Sequence, residues 1–476
     1  MSGQQSFIGH GSNGEPTFTV GQHTNIPWPV FIPEVKWDEG FRAILNYPDA
    51  LDNRNPIMVP AAAYQGLRNK PAIVNRENEE GEKVGEEEVE ALEANHPLIY
   101  FDPPELYNFR RTSTLRKYYF KGKYSDAQQF KSHLRDGNYD DALELLPEFQ
   151  SEFVKANFDR VTDEISEATP PRRTRYSNNS TDDVWSSIGK DDMNGYFKEI
   201  VEDASGRSSA IIPPVPLLGP RLESSLVTGH CTANKTMSEI AGNDSNTSSY
   251  YHICIKHAVL RTSSDAPATI LDITRRELEE ENYAGVAITI RNPHRLDAAG
   301  SLARAETFVK NLVETAEEFG LPVIAPRSEW LGSLLTDNGV AAFSDLMSSR
   351  WEYKQDYSGG PSEEWKKYGR MVTYGDAKRV LADPEDDDNE SVVEYLEDGN
   401  LTEFDELPNS PPGDPSSDDT LKQKLGSPYD YRVDFAKPRK LSHVCEAQKF
   451  REDRRRGVAN PAREYLKDSD NQYISI

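Results

Sequence analysis

Short apolar runs separated by helical patterns recur along most of this chain. Early runs stand at residues 30–35, 56–60 and 97–101. Later runs stand at residues 210–218, 250–256, 268–273, 285–290, 322–325 and 340–343. Apolar runs of this length, bounded by turn residues, are typical of buried strands in a parallel sheet. The pattern therefore predicts an α/β fold in which strands alternate with helices.

Several of the intervening segments have the 3.6-residue period of amphipathic helices. The clearest is at residues 301–319, where apolar side chains form one stripe and Gly320 follows as a helix-ending glycine. Helices are also predicted at residues 38–45, 85–95, 191–204 and 328–335.

The predicted strands number nine, which is close to the eight that a (β/α)8 barrel requires. We therefore predict a (β/α)8 barrel-like fold, with a doubly wound open sheet as the alternative. The predicted organisation is as follows: a flexible arm at 1–25, the first βα units at 26–104, a helical insertion and linker at 105–189, the remaining βα units at 190–379, an acidic low-complexity linker at 380–436 and a basic helical tail at 437–476.

The net charge of −26, with a pI near 4.8, gives information about the solution in which the protein works rather than about the reaction or ligand that it handles. A dense carboxylate surface stays hydrated in high salt, and salt screens its self-repulsion. We therefore expect a halophilic source. Three cysteines, no signal-peptide pattern and no apolar run of membrane-spanning length predict a cytoplasmic protein that is not embedded in a membrane.

Within the last 100 residues, an acidic segment is followed by a basic one. Residues 380–420 contain no Lys or Arg, whereas residues 437–456 are rich in both. This basic tail could bind a protein partner or a nucleic acid, or it could pair with the chain's own acidic segment at 385–406.

Functional residues of a barrel lie at or just after the carboxyl ends of its strands. The charged and polar residues at these predicted positions are Lys36, Asp102, Lys256, Asp272, Arg275, Arg291, Asn292, His294, Arg327, Glu329 and Asp345. Cations facing carboxylates suit an anionic ligand, either a phosphate- or nucleotide-containing small molecule or a nucleic acid.

Roles follow from residue type. We expect Lys36, Lys256, Arg291, His294 and Arg327 to bind the ligand, with Arg291 and Arg327 holding its anionic group. We expect Asp272, Asp345 and Glu329 to act as the base or to position a metal. The alternative is that these residues are ordinary loop charges, so whether the protein is an enzyme stays open, and no cofactor can be named.

Other motif-like features of the sequence give weaker evidence about function. Residues of metal-ligand type stand at His230, Cys231, His252, Cys254 and His257, but no Cys-x-x-Cys pair anchors them, which favours barrel-lining residues over a zinc site. The G-x-G-x-x-G at residues 9–14 has no strand before it and is interpreted as a turn. P-loop, zincin and α/β-hydrolase motifs are absent.

Two stretches resemble the phage beta protein family, whose members are uncharacterised and barrel-like. Residues 31–37 (FIPEVKW), with Glu39-Gly40, Ala43-Ile44 and residues 56–59 after them, are similar to the family's first strand, helix and second strand. Residues 326–331 (PRSEWL), leading to residues 343–345, are similar to a later part, as is the run 285–291. The resemblance covers about a third of the chain. It implies a viral or mobile-element origin and supplies no catalytic residues.

Two function hypotheses therefore stand. The first is an enzyme or enzyme-derived barrel that handles an anionic ligand at the strand ends. The second is a non-catalytic protein of virus–host interaction or structure that uses the acidic segment and the basic tail.

Overall fold

A computed structural model describes residues 6–346, except 13, 36–40, 42–43, 46–53, 62–63, 78–80, 103–128, 131, 134–135, 147–148, 150, 154–183, 187, 208, 245, 262–263, 292–295, 297–298, 329–330 and 333–334. The acidic linker, the basic tail and most of the predicted insertion lie outside these residues.

Eight parallel strands close into a barrel. Its members, in chain order, are β4 (Val30–Glu34), β5 (Ile57–Val59), β6 (Leu98–Phe101), β7 (Ser209–Ile212), β8 (Thr247–Lys256), β9 (Gly285–Arg291), β10 (Val323–Ala325) and β11 (Ala342–Leu346). The first strand pairs in parallel with the last, so that Phe31 is in register with Phe343. The predicted barrel is therefore confirmed, and the sheet is not open.

Helices connect the strands. They are α1 (Tyr64–Arg68), α2 (Pro71–Val74), α3 (Gly85–Asn95), α4 (Tyr139–Glu144), α5 (Lys190–Ser205), α6 (Ser224–Ala241), α7 (Ala258–Arg261), α8 (Ala266–Glu280), α9 (Ala299–Glu317) and a 3-10 turn at Thr336–Asn338. After α9, Gly320 has a φ of +69°, as expected of a glycine that ends a helix. No helix among the described residues is both long and apolar enough to cross a membrane.

One predicted strand is wrong. Residues 268–273 (ATILDI) lie inside α8, a helix that carries a proline in its first turn and buries Ala266, Ile270 and Thr274 at four-residue intervals. The branched residues of this run resemble a strand locally, but their spacing buries one helical stripe. The barrel thus has eight strands rather than nine.

The chain also begins differently from the prediction. Strands β1 (Ile8–His10), β2 (Pro16–Val20) and β3 (His23–Pro27) form an antiparallel sheet where a flexible arm was expected. Gly9 of the G-x-G-x-x-G motif lies in β1, and Gly11 and Gly14 lie in the loop between β1 and β2, where Gly14 has a φ of +77°. The motif therefore forms the end of a strand and a turn, as a turn was predicted.

This N-terminal sheet packs on the amino-terminal end of the barrel. Phe18, Val20 and Ile26 are buried in the same cluster as Val30 and Ala342, which begin β4 and β11. The N–H groups of Phe7 and Ile8 also donate to the carbonyl of Gly320, at 2.8 and 3.2 Å. Burial of these apolar side chains explains why a largely polar segment is ordered.

Side chains alternate between the barrel interior and the helical layer. The interior cluster includes Ile32, Met58, Ile99, Ile212 and Ala287, whereas Phe31, Ile57 and Tyr100 belong to clusters packed against the helices. The interior is thus apolar toward the amino-terminal end, and polar side chains enter it toward the carboxyl-terminal end.

Candidate functional site

Three neighbouring strands each place a cation at the carboxyl-terminal end of the barrel, which we call the mouth. Lys256 ends β8, Arg291 ends β9, and Arg327 follows two residues after the end of β10. Lys256 and Arg291 are in register on paired strands. Arg291 is 7% exposed and Arg327 3% exposed, so two of the three cations are withdrawn from bulk water.

Strand alternation sets the direction of Lys256 and Arg291. His252 and Thr289 meet inside the barrel, where the Thr289 hydroxyl lies 3.0 Å from His252 Nε2. Lys256 lies four residues after His252, and Arg291 lies two after Thr289, so both positions share the interior face of their strands. The two cations therefore stand side by side at the mouth.

The third cation is held by a carboxylate from the second strand along, because β11 lies between β10 and β4 in the barrel. Arg327 Nε donates to both carboxylate oxygens of Glu34, at 2.8 and 3.0 Å, and a terminal guanidinium nitrogen also donates to Glu34. The guanidinium carbon lies 5.6 Å from the ring centroid of Phe101. This buried, forked ion pair joins the ends of β4 and β10 and forms one wall of the mouth.

The backbone of Arg327 is fixed as well. It has a φ of +52°, in the left-handed region that L-residues rarely adopt. Its N–H donates to Ser344 Oγ at 2.9 Å, which ties the loop after β10 to β11. An unfavourable backbone conformation that is held by such bonds is common at functional sites.

Glu34 was missed by the sequence reasoning, which named Lys36 instead. The signal was present, because Glu34 is the one charged residue in a strand that is buried at all five positions. It continues the alternation of Val30 and Ile32, both of which line the interior. A carboxylate in such a strand needs a buried cation as its partner.

His252 forms the floor beneath the cations. Its Nδ1 lies 2.7 Å from the carbonyl oxygen of Pro213 and therefore carries the proton, while its Nε2 accepts from Thr289. Burial lowers the pKa of His252 to about 4, although the bond to Pro213 opposes this shift. The imidazole is thus neutral near pH 7, and its ring also packs against the edge of Phe101.

A gap between β7 and β8 positions His252. Pairing of these strands stops at Ile211 and Ser249, and prolines at 213 and 214 have no N–H to continue it. Asn234 of α6 fills the gap: its Oδ1 accepts from the His252 N–H at 2.7 Å, and its Nδ2 donates to the His252 carbonyl at 3.1 Å. A side-chain amide thus replaces the missing backbone pairing.

The other residues of metal-ligand type do not gather into a site. His230 of α6 bonds the Tyr251 hydroxyl at 3.1 Å, and its burial lowers its pKa to about 3. The Cys231 thiol has its pKa raised to about 12 by burial and by Glu277. Among the described residues, no three His, Cys, Asp or Glu side chains are grouped as a metal would require.

Two predicted acidic residues are placed away from the mouth interior. Asp272 is exposed on α8 rather than at a strand end, and its neighbour Arg275 pairs with Glu318 of the same helical layer. The Asp102 carboxylate follows β6 and accepts from the Tyr196 hydroxyl of α5 at 2.6 Å. The expectation that Asp272 faces the cations is therefore wrong.

Asp345 does lie in a barrel strand. It belongs to β11 and is in register with Pro33 of β4. Lys36, Asn292, His294 and Glu329 lie outside the described residues, so their predicted roles stay predictions.

The closed ring of eight parallel strands, its helical layer and the cationic mouth define a (β/α)8-barrel protein. Comparisons of the chain with protein-family models, with curated proteins and with solved structures found no match.

Proposed function

We propose that this protein binds an anionic, phosphate-containing ligand at the mouth of its barrel. The observation that carries the proposal is the in-register pair of Lys256 and Arg291, which stands one strand away from Arg327. The carboxyl ends of the strands are where barrel proteins hold their ligands, and this part of the argument is an analogy of fold.

The physical case rests on burial and geometry. A guanidinium that is largely removed from water attracts an anion more strongly than an exposed one, because the local dielectric constant is low. Arginine also presents a planar fork of donors that matches phosphate oxygens, whereas lysine adds a compact point charge. Lys256 and Arg291 together thus supply both kinds of contact.

The wall and floor would limit the ligand's freedom. Glu34 holds Arg327 at one side, and neutral His252 with Thr289 closes the interior below. A ligand at the mouth would meet buried hydrogen-bonding groups on one side and solvent on the other. Such a site suits a phosphate monoester or a nucleotide better than an uncharged molecule.

The proposal is tested by calorimetric titration with inorganic phosphate and with adenosine monophosphate at constant ionic strength. Arg291→Gln should weaken binding at least about tenfold, because a charge-assisted hydrogen bond is lost. Arg275→Gln is the matched control, since it removes the same charge from an exposed ion pair on the helical layer. Absence of binding to the wild-type protein, or equal losses in both variants, would refute the proposal.

We also propose that the protein works in a salty cytoplasm, on the basis of its net charge of −26. The family resemblance supports a viral or mobile-element origin in a halophile. A catalytic role for Asp345 or Glu329 would make the protein an enzyme. It would be tested by Asp345→Asn and Glu329→Gln once a bound ligand is known.

A further inference from the structure

We propose that His23, Arg54 and His96 form an anion site at the amino-terminal end of the barrel, on the side opposite the mouth. The ligand class is a tetrahedral oxyanion, sulfate or phosphate. His23 lies in β3, Arg54 stands three residues before β5, and His96 follows α3 directly and stands two residues before β6. The site uses no residue of the mouth, so it does not depend on the proposed function.

Hydrogen bonds bring the three segments together. The Arg54 N–H donates to the carbonyl of the residue before His96, at 3.2 Å, and His96 Nδ1 lies 3.0 Å from the carbonyl oxygen of Asn55. A terminal guanidinium nitrogen of Arg54 donates to the carbonyl of Thr24, the residue after His23, at 3.4 Å. The segment that carries Arg54 is thus bonded to both segments that carry the histidines.

The three side chains have donors to offer to a ligand. Arg54 is exposed, and among the described residues its guanidinium has one hydrogen-bond partner, the Thr24 carbonyl, so its other N–H groups can bind an anion. His96 is 4% exposed, and its Nδ1 carries the proton because that atom contacts a carbonyl oxygen. Its Nε2 becomes a donor when the imidazole is protonated, and the half-buried His23 gains a second donor in the same way.

The described surroundings of the two histidines are cationic rather than acidic. Burial lowers the pKa of His23, and the nearby Arg54 cation lowers it further. Burial also lowers the pKa of His96; the bond to Asn55 opposes this shift, and His23 adds to it. Among the described residues, no carboxylate raises the pKa of either histidine or forms an ion pair with Arg54. In a chain with 80 acidic residues, such a cluster fits an anion that comes from outside.

Anion binding at this site takes up protons. Near pH 7 both imidazoles are largely neutral, because their pKa values lie below the ordinary value of 6.5. A bound oxyanion stabilises the imidazolium form, which is positively charged and donates from both nitrogens, so the anion raises the pKa of each histidine. Protonation and anion binding therefore favour each other, and the affinity for the anion should rise as the pH falls below about 6.5.

The experiment titrates the full chain with sodium sulfate at about pH 5.5 and about pH 7.5 and constant ionic strength. Sulfate is a dianion at both values, so a change in affinity comes from the protein. The readout is the NMR signals of the His23 and His96 imidazoles, assigned with His23→Gln and His96→Gln, which respond locally whether or not the mouth also binds sulfate. We expect both signals to shift and sulfate to bind about tenfold more tightly at the lower pH. Signals that do not respond at the lower pH, or an affinity that is the same at both, would overturn the proposal.

Variants separate a built site from a general charge effect. Arg54→Gln should weaken sulfate binding at the lower pH about tenfold, and Arg54→Lys should weaken it less, because the charge remains while the planar donor fork is lost. Arg275→Gln is the matched control, since it removes the same charge from the helical layer. The signal of His10, on the exposed end of β1, reports non-specific effects. Equal losses in the Arg54→Gln and Arg275→Gln variants, or a response of His10 equal to that of His23, would overturn the proposal.

A last pair of variants tests whether the chain's own carboxylates fill the site. Asp49 and Asp52 precede Arg54 in the sequence and lie outside the described residues. Asp49→Asn combined with Asp52→Asn should bind sulfate no more tightly than Glu314→Gln combined with Glu318→Gln, which removes two exposed charges from the helical layer. A gain of about tenfold confined to the first pair would mean that an internal carboxylate is the partner of Arg54, and the proposal would be wrong.

Discussion

The Asn234 side chain makes both backbone hydrogen bonds of His252 that strand β7 cannot make, at 2.7 and 3.1 Å. The two residues lie on different elements, α6 and β8, and Asn234 is fully buried. One side chain thus completes the barrel wall where two prolines interrupt it, and it fixes the histidine on the barrel floor.

Asn234→Leu should therefore destabilise the protein strongly. The substitution leaves a buried N–H and a buried carbonyl of His252 unsatisfied, at a cost of about 2–5 kcal/mol in the free energy of unfolding. Chemical denaturation measures the loss. Asn243→Ala, just after the end of the same helix, removes an exposed side-chain bond to Glu239 and should change stability by less than about 0.5 kcal/mol. Similar losses in both variants would contradict the role of Asn234.

The Arg327–Glu34 pair and the Arg275–Glu318 pair should differ in how much each contributes to the free energy of unfolding. Glu34→Ala leaves Arg327 buried without its carboxylate partner and should cost about 3–5 kcal/mol of stability. Glu318→Ala breaks an exposed pair with Arg275, which water and salt screen, and should cost much less stability than Glu34→Ala. Urea denaturation of both variants measures the two losses of stability. If Glu34→Ala loses as little stability as Glu318→Ala, the wall of the mouth is not held by the Arg327–Glu34 ion pair.

Acid should destabilise the protein through its buried histidines. Burial in the folded state holds the pKa of His252 near 4 and that of His230 near 3, below the usual histidine value of 6.5. The unfolded chain thus binds protons more readily, so stability is fully present above about pH 6.5 and falls as the pH drops toward these values. For His252 alone the loss between pH 6.5 and 4 is on the order of 3 kcal/mol.

The measurement is the free energy of unfolding between pH 7 and 5, where most carboxyl groups stay ionised. His252→Gln should reduce the slope of stability against pH, because one of the shifted groups has been removed. His10→Gln, on the exposed end of β1, is the control. An unchanged slope in His252→Gln would mean that this imidazole titrates normally in the folded protein.

The N-terminal sheet should contribute to the stability of the whole barrel. Phe18 is buried against the amino-terminal end of the strands, and Phe18→Ala should cost about 3–5 kcal/mol. Thr24→Ala, on an exposed position of β3, should be close to neutral. If Phe18→Ala unfolds at the same urea concentration as wild type, the sheet is only loosely attached.

Salt should raise the melting temperature. The net charge is −26, and the excess carboxylates repel one another at low ionic strength. Raising KCl from about 0.1 M to about 1 M shortens the screening length from about 10 to about 3 Å and weakens this repulsion. Thermal unfolding followed by circular dichroism at several KCl concentrations tests this. A melting temperature that is flat or falls with KCl would argue against adaptation to a salty interior.

The strands of the barrel were predictable because each one contains a short apolar run whose described side chains are mostly buried. Eight of the nine predicted runs are strands, and their number led to the correct architecture. The run at residues 268–273 was misread because six residues are too few to separate a branched helical stripe from a strand. The flexible arm predicted at 1–25 was wrong over residues 8–25, because polar residues such as Thr24 and Asn25 made the segment look unlike a buried sheet. Its core consists of only three apolar side chains, Phe18, Val20 and Ile26.

The site was predictable in part. Lys256, Arg291 and Arg327 lie at the ends of consecutive strands, as barrel anatomy predicts. Glu34 and Asn234 could not be placed from local patterns, because each acts through a partner that is distant in sequence. Arg327, for example, lies 293 residues from Glu34 along the chain.

The pairing of the first barrel strand with the last has a consequence for biosynthesis. Val30 meets Ala342, so the ring cannot close until residue 342 has left the ribosome. At about 5–20 residues per second, the early strands wait roughly 15 to 60 s for their neighbour. Throughout that interval the nascent chain exposes an unpaired edge at β4, and we expect it to need chaperone protection during translation.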